Sequence, residues 1–216
     1  MSRLLVLRLT QLVLGVTAYG IGVALMVEAA IGVSPWDVLA QGLARITGIA
    51  FGWVTIVLGA VILLIWIPLR QRPGLGTVLN ALVVGAAAQA YLTWVPAPTE
   101  LWLRIGSFVL GLVVVAVATG AYIGSHFGPG PRDGLMTGLH ARTGWPIWAV
   151  RTGIEVVVVA IGWALGGNVG VGTLAFALFI GPMVHVTMPW FSLRRHMDRA
   201  AAERADPLVE EPGEPA

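Results

Sequence analysis

The chain has 216 residues, of which 57% are hydrophobic and 11% charged, with a formal net charge of +2 and no cysteine. Ordinary soluble domains carry about 25% charged residues, so this composition excludes a water-soluble fold and makes the bilayer the solvent. The missing cysteine excludes disulfides, thiolate catalysis and Cys-based metal sites. The histidines (His126, His140, His185, His196) are scattered and form no ligand pair at helical spacing.

A bilayer crossing needs about 20 apolar residues. In chain order the predicted spans are Leu9–Ala29, Ala50–Leu69, Leu75–Val95, Leu101–Tyr122, Pro146–Leu165 and Val171–Phe191. Arg3 and Arg8 before the first apolar run resemble the start of a signal peptide. The run is too long for one, and no clean cleavage pattern follows, so it is read as a retained span. Two shorter segments, Ser34–Thr47 and Gly130–Thr143, lie after the first and fourth spans. As helices of about 14 residues they reach roughly 21 Å, too short to cross. They are half-helices, either re-entrant or lying at the interface. One transmembrane domain is expected over 1–191, with a tail over 192–216.

The tail starts basic (Arg194, Arg195, Arg199) and ends acidic (Asp206, Glu210, Glu211, Glu214). The basic part suits anionic headgroups, and the acidic, Pro-containing end is expected to be disordered. Every basic residue is Arg. With the N-terminus inside, Arg3, Arg8, Arg70, Arg72, Arg132, Arg142, Arg151 and the tail arginines fall inside, and Arg45 and Arg104 outside. This asymmetry puts both termini in the cytoplasm. It is an orientation signal, and no nucleic-acid partner is expected. Trp53, Trp94, Trp102 and Trp163 are expected at outer ends, and Trp66, Trp148 and Trp190 at inner ends, as an aromatic belt.

The two short segments are copies. Gly32-Val33-Ser34-Pro35-Trp36-Asp37-Val38-Leu39 returns 96 residues later as Gly128-Pro129-Gly130-Pro131-Arg132-Asp133-Gly134-Leu135. The same offset pairs Gly42-Leu43 with Gly138-Leu139, Thr47-Gly48 with Thr143-Gly144, Gly74-Leu75-Gly76-Thr77 with Gly170-Val171-Gly172-Thr173, and Gly85 with Gly181. Each copy holds three spans and one half-helix. Three is odd, so the second copy enters from the opposite side. The expected architecture is all-α and polytopic: six transmembrane helices plus two half-helices in an inverted repeat, with repeat one over about 9–95 and repeat two over about 101–191.

The duplication places a carboxylate twice at one point, Asp37 and Asp133. Intramembrane carboxylates are costly and often functional. Each also sits where Asp at N3 follows Pro at N1, an arrangement that caps a helix without any further role. The two readings are compatible. On the half-helices each Asp heads an i, i+4 row: Asp37, Gln41, Arg45 and Asp133, Thr137, Ala141. Such a row either lines a cavity or faces water from an interfacial helix.

The copies differ chemically. Trp36 is matched by Arg132, Thr55 by Arg151 and Gly59 by Glu155. Arg151 and Glu155 are i, i+4 and can pair. They form either a buried structural pair or part of a solute site. Glu28 is read as interfacial. The Gly-x-Gly-Thr turns suit tight turns and caps, and with no following Lys and no preceding strand they do not make a phosphate loop. Gly120 with Gly124 and Gly134 with Gly138 have small-xxx-small spacing that permits close packing. No nucleophile–base–orienter set stands out; Ser125 and His126 are merely adjacent.

The repeated P-x-D half-helices, the Gly-x-Gly-Thr turns, the run Gly128–Leu139, Arg151, Glu155 and the stretch from Leu165 to Thr173 resemble the YczE-like membrane proteins of the YczE/YyaS/YitT grouping. The resemblance covers most of Thr10–Met188. It implies a bacterial inner-membrane protein and no particular activity.

The expected function is a small secondary transporter or permease for a small solute or ion. Its candidate site residues are Asp37, Gln41, Asp133, Thr137, Arg132, Arg151 and Glu155, with no catalytic residue, metal or cofactor. The alternative is a non-transporting membrane scaffold or accessory protein. The Gly-rich faces leave homodimerisation open.

Overall fold

The prolines and the left-handed turns set the boundaries of the helices. In the computed structural model, which describes residues 3–191, the order is α1 (Arg3–Ala29), α2 (Pro35–Thr47), α3 (Phe51–Leu69), α4 (Leu75–Trp94), α5 (Leu101–Gly124), α6 (Pro131–Thr143), α7 (Ile147–Ala164) and α8 (Val171–Phe191). Pro35 and Pro131 open the half-helices α2 and α6, and Gly48 and Gly144 end them at φ +72° and +70°. Pro has no N–H to lose at the first helical position, and Gly takes a left-handed turn without a Cβ clash.

Six of these helices, all but α2 and α6, are long and apolar enough to cross a membrane. The protein is therefore an all-α polytopic membrane protein. α1 begins at Arg3, six residues before the expected span. The tail 192–216 lies outside the described residues.

α1 and α5 form the centre. A Cβ on Gly22 would lie 2.9 Å from the Gly111 carbonyl oxygen, and one on Gly111 2.7 Å from that of Gly22. Lipid tails are as apolar as Leu, so close packing of small residues replaces the hydrophobic drive of a soluble core. α4 lies against α1 and α8 against α5. Gly120 and Gly124 let α5 approach Thr187 and Phe191 of α8, the close contact expected from their spacing. α2 packs on α7, and α6 on α3. Large apolar side chains such as Leu14, Ile67, Trp94 and Leu178 stay exposed around the outside, where lipid would cover them.

One tryptophan departs from the expected belt. Trp66 is 2% exposed, and its indole Nε1 donates to the Pro131 carbonyl at 3.0 Å. Its ring covers Gly134 at the start of α6. Hydropathy places a Trp near a helix end without telling which side of the helix it faces. Trp53, Trp94, Trp102, Trp148, Trp163 and Trp190 are exposed as a belt requires.

Several contacts recur at the 96-residue spacing. Arg8 donates to the carbonyls of Ser125 and His126, and Arg104 to those of Ala29 and Ala30. The Gly76 amide donates to Phe127 and the Gly172 amide to Ile31. Ala30 and His126 have φ +50° and +57°, and Gly32 and Gly128 have φ +115° and +113°. The first two are non-glycine residues in the left-handed region. Each is held there by an arginine bonded to its own carbonyl.

Candidate functional site

The two half-helices meet at their N-termini. Such ends concentrate unpaired N–H groups and the positive end of the helix dipole. On α2, Ser34 caps the helix: the Asp37 amide donates to Ser34 Oγ at 3.4 Å, and that hydroxyl donates to Asp37 Oδ2 at 2.5 Å. On α6 the cap is Gly130, which offers no side chain.

Capping leaves Asp37 Oδ1 available, and it takes an ion pair from the other half of the chain. Arg132 Nη2 donates to it at 3.2 Å, while Asp37 itself is 1% exposed. The Arg132 guanidinium also stands 5.5 Å from the Trp36 ring centroid. Asp133 has a different partner. The Tyr122 hydroxyl donates to its Oδ2 at 2.7 Å, and Tyr19 meets Tyr122 edge-on at 6.2 Å. An ion pair removed from water needs every lone pair and proton engaged to offset its desolvation. Ser34 and Arg132 engage both oxygens of Asp37, and Tyr122 engages one oxygen of Asp133.

Two cavities adjoin this centre. One of about 60 Å³ lies toward α3 and α4, with Thr55 and Asn80 on its wall. The other, about 290 Å³, is lined by α7 and α8 as well as by Trp36, Arg132 and Asp133. Arg151 and Glu155 stand on its α7 wall and pair at 2.9 Å. A carboxylate two turns into a span needs such a partner.

Of the residues singled out by sequence, Asp37, Asp133, Arg132, Arg151 and Glu155 converge here. Gln41 and Thr137 do not. Gln41 Oε1 accepts the Asn168 amide at 3.0 Å, and Arg45 reaches the Gly166 carbonyl, so row one braces the end of α7. Thr137 is exposed and bonds its own helix at the Gly134 carbonyl. The Thr of each Gly-x-Gly-Thr turn accepts the first glycine's amide (Gly74 to Thr77, Gly170 to Thr173). Tyr19 and Tyr122 were missed by the sequence reading. Both lie in plain apolar spans, and neither has a repeat partner of its own kind to draw attention to it. Among the described residues no cluster of His, Cys, Asp or Glu could hold a metal ion.

Residues 6–189 match a family described as a family of unknown function, DUF6198. An uncharacterised protein of Haemophilus influenzae is 38% identical over 80% of this chain and 79% of its own length. The uncharacterised membrane protein YczE of Bacillus subtilis is 32% identical over 97% of this chain and 100% of its own length. YyaS of the same organism is 28% identical over 82% and 90%. No solved structure matches the chain.

Proposed function

The chain belongs to the DUF6198 family of bacterial membrane proteins related to YczE and YyaS, and from that premise we propose that it is a small secondary transporter or permease. Its two halves are read as an inverted repeat, its N- and C-termini as cytoplasmic, and its solute or ion site as the centre where α2 and α6 meet. The observation that carries this reading is the buried Asp37–Arg132 pair, which joins the starts of two half-helices from different copies. Interrupted helices whose N-termini meet between two repeats are the usual construction of a transport site. The inverted arrangement is supported by the reciprocal contacts at the 96-residue spacing, Arg8 with Arg104 above all. No catalytic step is proposed.

The test is flux. The purified chain in liposomes is screened against ions and small solutes, beside the Asp133→Asn chain. Asp133 is chosen because its bonded partner is the neutral Tyr122, so the change orphans no paired charge. Uptake by the parent chain that falls at least about tenfold in the variant, a loss of about 1.4 kcal/mol, is the expected result. A folded parent chain that moves nothing would sink the proposal.

One observation favours a second reading, a non-transporting scaffold. Asp37, Asp133 and Glu155 all have partners within the protein, as capping and packing groups would. On that reading Asp133→Asn leaves any phenotype of the deleted gene fully rescued.

A further inference from the structure

Where the 290 Å³ cavity lies between α7 and α8, the matching place toward α3 and α4 holds one of about 60 Å³. α3 seals against α4 through small residues. Gly52 and Gly85 meet backbone to backbone, and a Cβ on Gly59 would stand 3.2 Å from that of Ala81. At the matching positions α7 carries Trp148 for Gly52, Arg151 for Thr55 and Glu155 for Gly59. α7 has almost no contact with α8, and around Gly181, the partner of Gly85, there is open space. Val156 and Val157 of α7 and Leu178 and Phe179 of α8 are exposed. Both helices are long and apolar enough to cross a membrane, so an opening between them would meet lipid tails.

Inside, one wall is apolar, formed by Phe176, Ile180, Val184 and Met188 of α8. The opposite wall is rich in unused donors. Trp36 is 8% exposed, and its indole Nε1 is the buried side-chain polar atom left without a partner among the described residues. A buried N–H without an acceptor costs about 1–3 kcal/mol, so such a group marks a place for one. Arg151 engages Glu155 through Nε, and its side chain is 48% exposed. Arg132 engages Asp37 through Nη2. The carboxylates are already bonded, to Ser34, Arg132, Tyr122 and Arg151. Among the described residues, the donors without a partner here are Trp36 Nε1 and the remaining nitrogens of Arg132 and Arg151.

We propose that the cavity between α7 and α8 binds an amphiphile with an anionic oxygen head, which enters sideways from the bilayer. The head sits against Trp36 Nε1 and the free nitrogens of Arg132 and Arg151. The chain lies along Ile180, Val184 and Met188 and out through the α7–α8 gap. The proposal rests on the reading of this centre as a solute site and names the class of that solute.

The experiment is calorimetric titration of the full chain in nanodiscs of neutral lipid, with empty discs subtracted. Decanoate, decyltrimethylammonium and acetate are the probes. Decanoate is expected to saturate one site at least about tenfold more tightly than the ammonium, with acetate silent, and Trp36→Phe and Arg151→Gln each to weaken it about fivefold or more. Equal or tighter binding of the cation overturns the proposal. Acetate binding as tightly as decanoate also overturns it, because the lipid-facing mouth then serves nothing. Decanoate binding untouched by both variants overturns it as well. The two proposals fail separately. Decanoate that binds but is not moved in liposomes removes transport and leaves the site. Flux of another solute with no decanoate binding removes the ligand class and leaves the transporter.

Discussion

α3 lies on α4 as a sealed pair, and α7 stands off α8 as an open one, although the two pairs occupy matching places in the duplicated chain. The sealed pair meets through Gly52, Gly85, Gly59 and Ala81. The open pair has exchanged two of those small contacts for Trp148 and Glu155 and gained Arg151. The rest of the bundle keeps its correspondences, including the paired left-handed turns at Gly32 and Gly128. A duplicated membrane protein thus gains a cavity on one side by enlarging side chains there. They add volume at the helix face, and the charges of Arg151 and Glu155 need company inside the bilayer.

The comparison breaks most readily at the ion pair that crosses between the copies. Asp37→Asn leaves the Arg132 guanidinium beside a neutral amide, deep in the bundle. Removing one partner of a buried pair costs about 3–5 kcal/mol, and a loss of that size is expected in reversible unfolding from mixed micelles. Asp37→Asn combined with Arg132→Gln is expected to cost less than the two single changes added together, because no orphaned charge is left. A single Asp37→Asn change within about 0.5 kcal/mol of the parent would show that the pair joins nothing.

The next effect sharpens the contrast between sealed and open pairs. Gly85→Ala puts a Cβ against the Gly52 carbonyl, where only backbone can yield. Overpacking of that kind costs about 1–3 kcal/mol. Gly181→Ala, the matching change in α8, meets nothing within 4 Å. Ala is the better helix former by about 1 kcal/mol, so Gly181→Ala is expected to be neutral or mildly stabilising. Equal losses for the two, read in the same unfolding assay, would mean that α7 closes on α8 in the membrane.

Much of this was legible in the sequence because bilayer physics is restrictive. Length and hydropathy alone placed five of the six long helices within two residues at each end, and missed the first six residues of α1. The half-helices expected over Ser34–Thr47 and Gly130–Thr143 start one residue later, at Pro35 and Pro131, and end where expected. The repeat drew attention to Asp37 and Asp133, and the differences between the copies drew it to Arg132, Arg151 and Glu155. Rows along a single helix misled. Gln41 shares a face with Asp37 but reaches Asn168, because α2 is crossed by α7 partway along its length. Trp66 and Tyr122 were illegible for a related reason. Hydropathy cannot tell a lipid-facing aromatic from one turned inward to a carbonyl or a carboxylate, and only the crossing of α3 over α6 and the closeness of α5 to α6 decide it.

The smallest expected effect on stability is the most telling about function. Arg151 and Glu155 are one helical turn apart on α7, and the Arg side chain is half exposed. Losing Arg151 leaves Glu155 without its partner inside the span, so Arg151→Gln alone is expected to cost about 1–2 kcal/mol, and Arg151→Gln combined with Glu155→Gln less than about 0.5 kcal/mol. The matching residue in the sealed half is Thr55, which bonds its own helix at the Phe51 carbonyl and packs inward. If Arg151→Gln proves costly, above about 2 kcal/mol, the arginine holds α7 in position and the open pair is a packing solution. If the double change is nearly silent in unfolding and Arg151→Gln weakens decanoate, the role of the arginine is in the ligand and not in the fold. Glu155→Gln then separates the pair from the site, because it frees Arg151 for an incoming acceptor. It is expected to strengthen decanoate binding where Arg151→Gln weakens it.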